Sequence, residues 1–86
     1  MKEFPKLIGE QVVLLRVDIN TGIVLDDNYN YSINPNDRVY IVFANKDEAL
    51  KIAKTIVLER NNVECGLYDL NQKMIFNVTI NNVDRL

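Results

Sequence analysis

The chain has no histidine and no tryptophan, a single cysteine, three glycines and two prolines in 86 residues. Each scarcity closes off a class of function. Without histidine, the commonest general base and metal ligand at neutral pH is missing. One thiol, Cys65, rules out an intrachain disulfide and points to the cytoplasm. It also leaves no Cys–His pair to activate a nucleophile. Three scattered glycines cannot build a phosphate-cradling loop. Apolar runs are short, six residues at most, far below a membrane span, and no apolar stretch follows Met1-Lys2-Glu3-Phe4-Pro5, so no signal peptide is expected. Ten basic against twelve acidic residues give a formal net charge of −2, without the basic footprint of a nucleic-acid or anionic-membrane binder.

What is present is a globular composition. The hydrophobic fraction is 48%, too high for disorder, and the length suits one domain over 1–86. A domain of this size is expected to have one core layer. Segments 1–9 and 81–86 read as a lead-in and a tail prone to fraying.

Periodicity defines the elements. Glu10–Asp18 alternates as a strand, with Val13, Leu15, Val17 and Ile19 on one side. Val12, Leu14, Arg16 and Asp18 lie on the other, a face that starts apolar and ends charged, as if emerging into solvent. Asn20-Thr21-Gly22 reads as a bulged turn and Ile23–Leu25 as a return strand. Asp26–Asp37 is loop chemistry throughout, and long for so small a domain. Arg38–Ala44 alternates again.

Asn45, with Glu48 three residues on, opens a helix over Lys46–Arg60. Its apolar stripe includes Ala49, Leu50, Ile52, Ala53, Ile56 and Val57. Asn61-Asn62 should end it in a left-handed cap. Val63–Asp69 and Lys73–Val78 make a hairpin, with Asn71 or Gln72 standing where glycine would be easier. Val17–Leu25 echoes Tyr68–Phe76 in its pattern of apolar, Asp, apolar, Asn and turn residues. Two hairpins with the same turn chemistry account for that.

The fold expected is α+β, ordered β-β-β-α-β-β: an antiparallel sheet of four or five strands with one helix on one face. The expected core is Val13, Leu15, Val17, Ile41, Phe43, Ala49, Ile52, Ala53, Ile56, Leu67, Met74 and Phe76. Tyr40–Ala49, a helix, and Glu64–Asp69 in that order resemble small bacterial α+β domains, and the Asn, Ile, Lys and Tyr enrichment suits an AT-rich bacterial genome.

No constellation carries catalysis. Cys65, flanked on its own face by Val63 and Leu67, reads as a core cysteine. Asp18–Gly22 begins like a calcium loop, but Gly22 and Tyr29 occupy ligand positions five and twelve, leaving a hairpin turn. Asp26 and Asp27 would point apart on an extended chain, so no paired carboxylate is expected. Neither catalytic, metal nor cofactor residues are therefore assigned. The sequons at Asn30 and Asn77 carry no weight without a secretory signal.

The interaction candidates are Tyr29, Tyr31, Arg38, Tyr40 and Val42. The loop tyrosines either fold over an open end of the core or offer contact surface, where tyrosine is favoured. The helix-free sheet face is expected to carry Val12, Leu14, Val24, Tyr40, Val42 and Ile75, too apolar to stay wet. The expected function is a small non-enzymatic protein-interaction module, homodimeric through that face or binding another protein, with no role for nucleic acid or membrane. The alternative is a small-ligand binder with its pocket beneath the 26–37 loop.

Overall fold

The computed structural model describes residues 3–86. Strand β1 (Val12–Asp18) is followed by β2 (Tyr40–Phe43), helix α1 (Lys46–Glu59), β3 (Val63–Tyr68) and β4 (Met74–Val78). The sheet is four-stranded and wholly antiparallel, in the order β2-β1-β3-β4. The fold is thus α+β with one helix, as expected, but the order is β-β-α-β-β.

The missing fifth strand has a geometric cause. One side of β1 pairs with β3 from Val13 to Asp18. The other side is shared: β2 takes Val12–Leu15, which leaves only its last residues for the return segment. Ile23–Leu25 therefore makes a single bridge to β1, Val17 to Val24, with Leu25 N–H donating to the Arg16 carbonyl at 2.9 Å. The turn itself is as expected, with Gly22 at φ +74° and its N–H donating to the Asp18 carbonyl at 2.8 Å.

The helix starts where the sequence says. Asn45 is extended, and its side-chain oxygen accepts from Glu48 N–H at 2.9 Å, satisfying one of the free donors of the first turn. It ends at Arg60, whose N–H donates to the Ile56 carbonyl. Neither Asn61 nor Asn62 has a positive φ, so the left-handed cap expected there is absent. Gln72 does adopt φ +62° in the last hairpin turn.

The helix covers Val12 and Leu14 of β1, together with Ile41, Phe43, Val63, Cys65, Leu67, Phe76 and Val78. This corrects the face expected for β1. Cross-strand partners share a face, and Leu14 stands opposite Ile41 and Leu67. Leu15 stands opposite Tyr40 and Gly66 on the helix-free side, and Val13 and Val17 follow it there. Val12–Leu15 is apolar on both faces, so alternation alone leaves the register open. Ala49, Ala53, Ile56 and Val57 fill the helix side of the core. Ile52, at 38% exposed, sits at the edge of the stripe, and Met74, at 47%, lies on the outer strand. Neither is core.

The tail forms a 3-10 turn at Val83–Arg85. The Asn82 side chain ties it to Thr79 N–H and the Asn77 carbonyl, and Lys54 Nζ donates to the Leu86 carbonyl. Of the lead-in, Met1 and Lys2 lie outside the described residues. Phe4 packs on the helix-free face, edge-on to Tyr40 (5.5 Å between centroids) and Tyr68 (6.1 Å).

Candidate functional site

The expected interaction residues fall into two groups on opposite sides of the sheet. Tyr40 and Val42 are on the helix-free face, opposite Leu15 and Val13. Arg38 is exposed just before β2. Tyr40 is half-buried beneath Phe4, and burial, with Tyr68 beside it, pushes its hydroxyl above the usual range. Tyr68 also arches back over Gly66, where an added Cβ would come within 3.0 Å of its ring. Glycine at that position gives the ring its seat.

Tyr29 and Tyr31 sit at the other end of the molecule, where β1 and the helix both stop. They are placed by one carboxylate. Asp26 Oδ1 accepts from Asn28 N–H at 2.8 Å and from Asn30 N–H at 3.0 Å, while Tyr29 N–H donates to the Asp26 carbonyl at 3.1 Å. This tight turn uses one oxygen of the Asp26 carboxylate and holds Tyr29 at φ +64°, a conformation that costs a non-glycine residue energy. The Tyr29 ring packs against the core, as the sequence allowed. Leu25 and Tyr31 bridge across the turn.

Sequence reasoning missed three charged residues that converge here. Arg16 and Asp18 share the helix-facing side of β1, opposite Cys65 and Val63. They were expected to emerge into solvent, yet are only 3% and 9% exposed. Loop residues Leu25 and Tyr29 close over that end of the core. Asp18 is satisfied: Oδ1 accepts from Asn20 N–H at 2.8 Å and Oδ2 from the Tyr31 hydroxyl at 3.0 Å. Arg16 is not. Its Nε and Nη2 are buried and have no hydrogen-bond partner among the described residues. Its Cζ lies 5.3 Å from the Tyr29 ring centre, and that of Arg60, from the helix end, lies 3.8 Å from the same ring. One aromatic ring thus serves two guanidinium groups, each attracted to its electron-rich face.

A cleft of about 290 Å³ opens beside this ring, lined by Asp18, Leu25, Tyr29, Asn30, Tyr31, Arg60, Asn62 and Val63. Arg16 brings a guanidinium into the buried end of the core. It acts on Cys65, the residue opposite. Burial pushes that thiol up to about 12, with Arg16 pulling the other way and Glu64 adding to the rise. Cys65 is fully buried and belongs to the core, so it is a packing residue. Among the described residues no cluster of three Cys, Asp or Glu side chains could hold a metal ion, and no helix is long and apolar enough to cross a membrane.

Comparison with known proteins returns no match: no family model, no curated protein and no solved structure.

Proposed function

We propose that this chain is a small non-enzymatic binding module whose principal site is the cleft under the 26–37 loop. Arg16 is the observation that carries this reading. Most buried polar groups have partners, and the exceptions call for an explanation such as a bound group. Here the exception lies against the ring of Tyr29, which itself lines a cleft together with Arg60, Asn30 and Tyr31. Pockets of this kind combine an apolar wall with a few convergent polar groups. The test is a fragment screen read by amide shifts of the 15N-labelled protein. Binders are expected to move the signals of Asp18, Asn30 and Arg60 together. A diverse screen that moves none of them would end the proposal.

A second reading is favoured by a separate observation. Val42 and Met74 are 45% and 47% exposed on or beside the helix-free face, next to half-buried Tyr40 and Tyr68. Such a patch suits a protein partner or a second copy of the chain. Light scattering across a dilution series tests it: a dimer that Val42→Lys dissociates supports the reading, and a monomer at every concentration argues against self-association. A cytoplasmic, bacterial setting belongs to the same proposal, supported by the free thiol of Cys65 and by the residue composition.

A further inference from the structure

We infer that the cleft takes a small monocarboxylate, held by the guanidinium groups of Arg16 and Arg60 at the position now filled by the Tyr29 ring. The inference rests on the cleft being a binding site and adds the chemistry of its ligand. Three charges meet there. Arg16 and Arg60 are both within 5.3 Å of the Tyr29 ring centre, and Asp18 is the lone carboxylate. Two positive charges against one negative leave an excess of one, which a monoanion cancels. A dianion would overshoot and would press against Asp18.

Geometry selects the same class. Nε and Nη2 are the two donors on one edge of a guanidinium, and that edge matches the two oxygens of a carboxylate. These are the two Arg16 atoms without partners. Asp18 does not serve them: its oxygens accept from Asn20 and Tyr31, and the two Arg16 atoms are left without a partner.

Tyr29 is the natural stand-in for the ligand. The face of its ring offers the two cations partial negative charge in place of a full one. It is held there on a left-handed backbone, in a turn fixed from Asp26, so it can be displaced without unravelling a strand or the helix.

The experiment titrates the 15N-labelled full chain with sodium acetate, and separately with sodium phosphate, at constant ionic strength set by chloride. The Arg16 side-chain Nε–Hε signal is followed, together with the cleft amides. Three variants accompany the wild type: Arg16→Met, Arg60→Met and Tyr29→Gly. Acetate is expected to shift the Arg16 signal saturably and to bind more tightly than phosphate. Arg60→Met should weaken it, and Tyr29→Gly, freed of ring displacement, should tighten it by about tenfold. At roughly 100 times its Kd, acetate should raise the wild-type Tm by roughly 10 °C. Arg16→Met should abolish that rise, while melting no lower than wild type without acetate, because it removes an unpaired buried charge.

Tighter binding of phosphate would overturn the monocarboxylate. So would an Arg16 signal that neither anion moves, while neutral fragments still shift the cleft amides; the cleft would then stand with a different ligand. If neither anions nor fragments shift those amides, the binding site itself is refuted and the inference with it.

Discussion

The two faces of the sheet are buried by different means, and the contrast is sharpest along β1. Leu14 faces the helix and touches a continuous core of strands, helix and loop, and it is fully buried. Its neighbour Leu15 faces the other way and stays half-exposed, on a face covered by no helix but by the rings of Phe4, Tyr40 and Tyr68. Two adjacent leucines of one strand thus occupy very different environments. Burial follows what stands opposite a residue more than what the residue is.

Four measurements would sharpen or break this contrast. Ile56→Asp puts a charge into the helix side of the core and should abolish the folded state; a cooperative melt in the variant would mean the helix is not docked as described. Leu14→Ala should cost about 3–5 kcal/mol in denaturant unfolding, and Leu15→Ala about 1–2. Equal losses would erase the distinction between the faces. Phe4→Ala should cost about 1–2 kcal/mol, since it removes two edge-to-face ring pairs. It should also bring the Tyr40 hydroxyl down toward its ordinary value in an ultraviolet titration, because burial is the main cause of the rise.

The smallest effect is a pH dependence confined to the helix face. The folded chain holds the Cys65 proton more tightly than the unfolded chain, about 12 against an ordinary 9.0. Stability from this group is therefore complete below pH 9 and declines as the pH climbs from about 9 toward 12. Between pH 9 and pH 10 the loss should be about 1 kcal/mol. Cys65→Ala should be less stable but should lack that part of the slope. An identical slope in both proteins would mean that the thiol is not buried as described.

The elements legible in the sequence were those with only one satisfactory arrangement. The helix has a wide apolar stripe and an Asn cap, and β3 has Val63, Cys65 and Leu67 on one side, so both were read correctly. The positive φ at Gly22 followed from turn chemistry, which in the last hairpin left Asn71 and Gln72 as alternatives, of which Gln72 adopts it. β1 was read with its faces exchanged because Val12–Leu15 offers apolar side chains to both, and only pairing decides between them. That one exchange concealed the candidate site. With the faces exchanged, Arg16 and Asp18 look like a solvated strand end. Seen in place they are buried, and the convergence of Arg60 with them depends on a helix end that lies 42 residues or more further along the chain. Tyr29 and Tyr31 were visible because tyrosine in a polar loop stands out; their partners were not.

The aspartates at the chain reversals have a consequence for how the sequence can vary. Asp26 and Asp69 each use a single oxygen, Oδ1, to gather the N–H groups two and four residues ahead, and Asp18 does the same for the one two ahead. What these corners require is a short arm ending in an acceptor, and the charge is incidental to that geometry. Asparagine supplies the same arm and glutamate, one methylene longer, does not. The corners at Asp26 and Asp69 should therefore drift readily between Asp and Asn over evolutionary time while excluding Glu. A distant relative could then carry quite a different net charge on the same hairpins.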